Sequence, residues 1–397
     1  MILIYRKKIK TKIEKINRFV VKSLFLVLLI LVIYLSLLDI IISKTAQKKY
    51  AIKYIKKMFQ IHLNNNNVET SINEYPNISI IIPLYNCQNT IQTTITSIQI
   101  QKFKNYEIIL INDHSLDNTS KIVNEIKEKD HRIKLIKNKK NMGILYSRSI
   151  GALNSNGKYI FCLDNDDIFY DENLFDNIFN IAESKNFDIV EFKSFDVKRY
   201  DIQLKLSEIK DSPFNQHPNN YTLLQPELGI FPISRKNKYH SNDYHIWGKS
   251  IKTKIYKKAV NMLSEKNYSF YNCWTEDISI LFIIFNIAQS FIFTGLYGII
   301  HLDFNQSTSY TLHDSKKLMS EIFLLDIIIK YIQDIEINKR YVFQKLSSIL
   351  NSRYMPFLNI EHINYLKIII NKIFQIKSLT EDEYELLNKY MNSLYIK

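Results

Sequence analysis

The chain has 397 residues, of which 46% are hydrophobic and 13% aromatic, and it carries a formal charge of +14 at pH 7. That apolar content excludes a disordered protein, and the length suits one large domain with appendages. Residues 1–60 hold 14 Lys and Arg against two acids, which leaves only +2 for the other 337 residues. The basic excess flanks one apolar segment instead of covering a globular face, so it points to a membrane surface and away from nucleic acid.

Residues 1–22 form a basic tail, followed by the apolar run SLFLVLLILVIYLSLLDIII from Ser23 to Ile42, with Asp39 as its one charge. About 20 helical residues cross a hydrocarbon core of roughly 30 Å, so 23–43 is predicted as a transmembrane helix. A cleaved signal peptide has a shorter apolar core and a small-residue cleavage site, and neither is evident. Eight basic residues precede the run and six follow it, a bias that favours a cytosolic N-terminus. The expectation is a single-pass type II membrane protein whose globular part faces the Golgi or ER lumen. The alternative is a cytosolic domain on a tether. Residues 44–76 read as a stem and linker, 77–315 as the globular domain, and 316–397 as a helical C-terminal extension with runs such as EIFLLDIIIKYI.

From residue 77 short apolar runs alternate with amphipathic stretches. Ile78–Pro83, Tyr106–Asn112, Ile133–Lys137, Tyr159–Leu163 and Asp188–Phe192 are predicted strands. Thr90–Gln101, the stretch from Asp117 to about Lys129, Ile144–Leu153 and Asn173–Ser184 are predicted helices. The strands are β-branched runs without alternation, as expected when both faces are covered. This order predicts an α/β domain with a mainly parallel, Rossmann-like sheet and flanking helices. Ligands of such sheets bind at the carboxyl ends of the strands, so the loops 84–89, 112–117 and 164–168 should converge. The seven glycines form neither G-x-G-x-x-G nor a Walker A loop, and G-x-S-x-G is missing. Three cysteines without metal spacing read as small buried hydrophobes.

The loop Asp164-Asn165-Asp166-Asp167 puts three carboxylates in four residues at a strand end. Such acids repel one another unless a cation binds, and Mg²⁺ or Mn²⁺ bridges carboxylates to phosphate oxygens. A helix N-terminus that favours acids is the competing explanation.

The stretch ISIIIPLYN, then EIILINDHSLDNT, then IKNKKNMGILYSRSIGALNSNGKYIFCLDNDD resembles glycosyltransferase family 2, which has the GT-A fold. Two later pieces, HIWGKSIKTKIY and YNCWTEDISILF, also resemble that family. The resemblance implies a nucleotide-sugar transferase, most often using a UDP-sugar, with a glycan, glycoprotein or glycolipid acceptor. It implies that Pro83, Tyr85 and Asn86 line the nucleotide pocket and that Asp113 accepts a hydrogen bond from the base. Arg148 would lie near the nucleotide and diphosphate. Asp164 and Asp166 would form the D-x-D motif, near the ribose and on the Mn²⁺ or Mg²⁺. Asp277 matches the general base of an inverting, single-displacement transfer, with the adjacent Glu276 positioning the acceptor or serving structure. A hexosyl- or N-acetylhexosaminyltransferase is the expected type. The Q-x-x-R-W motif of processive synthases is missing, so single addition is favoured. A nucleotidyltransferase, or a non-catalytic binder of sugar nucleotides or glycans, is the alternative.

Several residues keep two readings. Asp117 reads as a helix cap, and Asp167 as a second metal contact or a solvated acid. Trp247 and Trp274 are acceptor platforms or packing, and Lys249 faces the diphosphate or acceptor, or the surface. His114 and His245 lack metal-ligand spacing, and His301 is a candidate neighbour of the metal or diphosphate.

Overall fold

The computed structural model describes residues 75–198, 222–224, 245–264, 275–303, 314–331, parts of 342–350, 360–375 and 379–395. The basic tail, the predicted transmembrane helix 23–43 and nearly all of the predicted stem lie outside the described residues, as do Cys273 and Trp274. No helix among the described residues is long and apolar enough to cross a membrane.

Among the described residues nine strands form one sheet: β1 (Ile78–Leu84), β2 (Tyr106–Asn112), β3 (Ile133–Lys137), β4 (Tyr159–Cys162), β5 (Ile168–Phe169), β6 (Ile189–Lys198), β7 (Thr222–Leu224), β8 (Lys249–Lys252) and β9 (Phe291–Asp303). Their order is β3-β2-β1-β4-β8-β6-β9-β5, with β7 pairing β9 off this path. The helices among the described residues are α1 (Ile91–Gln99), α2 (Thr119–Lys129), α3 (Ile144–Leu153), α4 (Leu174–Ser184), α5 (Thr253–Ser264), α6 (Glu276–Ile287), α7 (Asp314–Tyr331), α8 (Ile360–Phe374) and α9 (Glu381–Tyr395).

From β3 to β4 every pairing is parallel, as the alternation of strands and helices predicts. Beyond β4 the expectation of a mainly parallel sheet fails. β8 runs antiparallel to both β4 and β6, and β9 is parallel to β6 but antiparallel to β5 and β7. The sheet is mixed. The reason lies in β8, a four-residue KSIK strand that enters between β4 and β6 from the opposite direction. Two of its four residues are lysines, so it leaves no apolar run to read. β6 also outruns its predicted end at Phe192, with register shifts between Glu191 and Ser194.

All seven residues of β1 are buried, because helices cover both faces of the sheet. Ile80 and Ile82 point into the layer shared with α1, α2 and α4, while Ile81 faces α3, α5 and α6. This period-two split of one continuous apolar strand is what a doubly covered sheet requires. The C-terminal helices α7 to α9 join the second layer through Ile322, Leu325, Leu366, Ile370 and Leu387, so the helical extension is part of that core. Buried Asp326 on α7 accepts hydrogen bonds from Tyr365 Oη (3.2 Å) and Lys372 Nζ (2.6 Å) on α8, which fixes the two helices against each other.

α3 lies unusually close to the sheet. A Cβ on Gly151 would sit 2.5 Å from Ile81 Cγ2 and 2.8 Å from Ile111 Cδ1, and both neighbours belong to stiff β-branched side chains. The close approach lowers Arg148, one turn earlier on the same helix, into the interior with 2% exposure.

Candidate active site

The three loops expected to converge do so at the carboxyl end of the parallel strands. Asp113 N donates to Leu84 O (2.8 Å), and Asn165 Nδ2 donates to Pro83 O (2.9 Å). Asn86 adopts a positive φ of 49° and fastens the first loop to the second. Its Oδ1 accepts from Leu116 N (2.8 Å), and its own N–H donates to Ser115 Oγ (3.1 Å). Pro83 and Asn86 therefore build the frame, and the Tyr85 ring between them is exposed. Asp117 sits one residue ahead of the Asn118 cap of α2. Its carboxylate accepts from Thr119 N (3.0 Å) and Gln88 N (3.1 Å). Burial opposes its charged form, but those hydrogen bonds win and hold its pKa below the usual value. It is a loop tie more than a cap.

Asp113 is buried at the end of β2. Its Oδ1 accepts from Asn138 Nδ2 and Met142 N, and its Oδ2 from Gly143 N, each at 2.7 Å. Those bonds shape the loop that leads into α3, where Gly143 has a φ of 89°. Three of about four lone-pair sites are thus occupied by the chain itself, and one on Oδ2 is left for a further donor.

Arg148 organises the acids. Its Nη2 donates to Asp164 Oδ1 (2.5 Å) and its Nη1 to Asp277 Oδ1, while Glu276 Oε1 lies 3.9 Å from Nη1. Asp164 follows β4, and Asp277 opens α6, more than a hundred residues later. One guanidinium therefore joins two motifs that the sequence shows only as separate pieces. Asp277 is further oriented by Ile246 N, which donates to its Oδ2 (3.0 Å). Burial opposes the charge on Arg148, but the negative charges of Asp277, Asp164 and Glu276 outweigh it and raise its pKa well above the ordinary value. α6 is anchored in turn by its cap residue Thr275, whose Oγ1 donates to Ser320 O on α7 (2.8 Å). Burial, and then the charge of Asp277, push the Glu276 carboxyl upward.

Asp166 is half-buried, and its carboxylate accepts no hydrogen bond from another of the described residues. Burial, followed by the charges of Asp167 and Asp164, raises its pKa. Asp167 is neither solvated nor turned outward. It is fully buried, with Oδ1 accepting from Leu302 N (3.1 Å) and lying 2.9 Å from His301 Nδ1, while its Oδ2 has no partner. Among the described residues no three His, Cys, Asp or Glu side chains form a ready metal cage. Mg²⁺, however, typically takes one or two carboxylates and completes its shell with phosphate and water. The uncommitted oxygens of Asp166 and the repulsion that raises its pKa fit such a cation.

On the other wall the rings of His245, Trp247 and His301 stack. His245 and Trp247 are 4.3 Å apart at 10°, and Trp247 and His301 are 5.6 Å apart at 13°. Trp247 is 5% exposed and stacks with both imidazoles, so of its two readings packing is the one that holds. Lys249 fits neither of its readings. It is fully buried, donates to His245 O (2.8 Å) and lies 3.8 Å from Glu191 Oε1. His114 occupies a turn with φ 63°. Cys87 and Cys162 are buried as expected, and burial pushes both thiols up to about 12. No spacing rule joins His245, Trp247 and His301, because the chain brings them together from β9 and from the loop before β8.

Residues 79–260 match the family model described as glycosyl transferase family 2. An uncharacterised glycosyltransferase of Rickettsia conorii is 45% identical over 97 residues, which cover 24% of this chain and 16% of that protein. An Escherichia coli protein, UDP-Glc:alpha-D-GlcNAc-diphosphoundecaprenol beta-1,3-glucosyltransferase WfaP, is 39% identical over 110 residues, covering 28% of this chain and 43% of that one. The chain thus spans less than half the length of these curated relatives. Among solved structures, S. aureus TarS 1–349 in complex with UDP-GlcNAc superposes with a TM-score of 0.52 at 17% identity. That superposition covers 74% of this chain and 81% of that one, and shows a shared GT-A-like fold. Residues 79–260 of the chain thus match glycosyltransferase family 2, and the sheet that carries the matching motifs has a GT-A-like fold.

Proposed function

We propose that the protein transfers a hexosyl or N-acetylhexosaminyl group from a UDP-sugar to an acceptor hydroxyl, with inversion and in a single displacement. The observation that carries this reading is the placement of Asp164 and Asp277 on the two ends of one buried guanidinium. A donor-side acid and an acceptor-side acid then share one site. Asp113, the frame of Pro83 and Asn86, and the exposed Tyr85 ring receive the nucleoside. Asp164 and Asp166 would hold Mg²⁺ or Mn²⁺, which when bound stabilises the charge on the departing diphosphate.

Asp277 keeps free lone pairs on both oxygens beyond the two bonds that orient it. It accepts the proton of the acceptor hydroxyl as the oxygen attacks the anomeric carbon. The new carbon–oxygen bond forms as the bond to the diphosphate breaks on the opposite face, which inverts that centre. WfaP is named for a lipid-diphosphate acceptor, and residues 23–43 would hold this chain beside such an acceptor in a membrane. A glycolipid is therefore the acceptor class we favour. The test is a donor panel of UDP-glucose, UDP-GlcNAc and a GDP-sugar, with and without Mn²⁺, reading released nucleotide. Metal-dependent release from a UDP-sugar is the expected result, and release from none of them removes the reading.

A further inference from the structure

We infer that Arg148 is a positioning residue that clamps the acceptor-side helix α6 to the donor-side loop after β4, and that it is not itself a ligand for the diphosphate. The inference rests on the proposed reading of Asp277 as the base. Three observations carry it. Arg148 has 2% exposure, so its guanidinium offers almost no surface to a ligand. Both of its terminal nitrogens are committed to carboxylates, one on each side of the site. Its Nε has no hydrogen-bond partner, although it is buried, so the group is held by its two terminal nitrogens alone.

Without a cation at this point Asp164, Glu276 and Asp277 would repel one another in a partly desolvated space. The planar fork of arginine can meet two carboxylates at fixed angles, whereas a lysine ammonium is a point charge. Gly151 is the sequence device that makes the clamp reachable, because any side chain there would lift α3 from Ile81 and Ile111. Ile246 N and the Thr275–Ser320 bond hold the other side of Asp277's helix. The clamp thus sets the distance between the place where the donor is held and the place where the acceptor is deprotonated. A misplacement of about 1 Å in such a geometry can cost two orders of magnitude in rate.

The test uses full-length protein in detergent, with UDP as the probe for affinity in the presence of Mn²⁺ and the active UDP-sugar for turnover. For Arg148→Gln the expected result is a fall in kcat of about 100-fold with a change in UDP affinity of less than about threefold. Arg148→Lys should recover only part of kcat, because it restores the charge without the fork. A fall in UDP affinity of tenfold or more in Arg148→Lys, with kcat at saturation kept, would make Arg148 a ligand contact and overturn the inference. Because Arg148→Gln strands three half-buried acids and can fail to fold, a melting-temperature cycle of Arg148→Lys with Asp277→Asn supplies a second readout. A clamp requires the two changes to be non-additive, and strictly additive melting shifts overturn it. Full turnover in Asp277→Asn alone would remove the base assignment, while the melting cycle still decides whether the clamp exists.

Discussion

The two halves of the sheet follow different rules, and the site lies across their seam. In the first half, β1 to β4 are parallel, covered on both faces, and joined by helices whose positions follow from apolar periodicity. In the second half, β5 to β9 are mixed in direction, and the strand that reverses the sheet is four residues long. The first half supplies the frame proposed for the nucleotide and the acid loop. The second supplies Asp277, the stacked rings and the floor under Asp167. The comparison suggests a division in which affinity for the donor comes from the first half and turnover depends on the second.

Asp277→Asn is the sharpest test of that division. It should lower transfer by about 100- to 10,000-fold while leaving UDP affinity near its starting value, as read by kinetics beside calorimetric titration. An equal loss of affinity would erase the distinction between the halves. Asp113→Asn is the mirror experiment. The amide places a donor among the donors of Met142, Gly143 and Asn138, so UDP affinity should fall about tenfold or more, and kcat at saturation should fall less.

Within the first half, the buried Asp130–Arg132 pair offers a test of stability away from the chemistry. Arg132 donates to both oxygens of Asp130, at 2.9 and 2.8 Å. Asp130→Asn should cost about 3 kcal/mol, because it leaves a buried guanidinium uncompensated. Burial opposes the charged form of Asp130, but bonds from Arg132 and Gln99 win and depress its pKa. A depressed carboxylate contributes stability above its unfolded pKa of about 3.9, and that contribution is lost as pH falls through the lower folded value. The wild-type protein should therefore show a component of acid unfolding below about pH 4 that the Asn variant lacks.

Gly151→Ala should cost about 1–3 kcal/mol by overpacking against Ile81 and Ile111, measured as a loss in denaturant midpoint. It should also lower kcat, because α3 carries Arg148. The smallest expected effect on stability has the opposite sign. Asp166 is held above its ordinary pKa by burial and by its acidic neighbours, so Asp166→Asn should stabilise the metal-free protein by about 1 kcal/mol while abolishing metal-supported release. A variant that melts lower without metal would show that the acidic loop is structural.

Much of the first half was legible because strand length and helix period are local. The predicted bounds of Tyr106–Asn112, Ile133–Lys137 and Ile144–Leu153 are those observed. The convergence of loops 84–89, 112–117 and 164–168 followed from strand direction alone. The acceptor side was not legible in the same way. Lys249 looks like a surface residue until Glu191 and the His245 carbonyl are placed around it. Asp167 looks like a solvated acid until β9 delivers Leu302 N and His301.

The amino-acid order alone determined the strand runs, the three acids at one strand end and the resemblance to a family. Each of these is encoded within a few neighbouring residues, through backbone propensity and the covering of both strand faces. Only the tertiary structure decided that Arg148 joins Asp164 to Asp277, that β8 reverses the sheet, and that Trp247 is buried against two imidazoles. Those contacts link residues far apart in the chain, and their energies arise from burial and from charges that no short window of sequence contains.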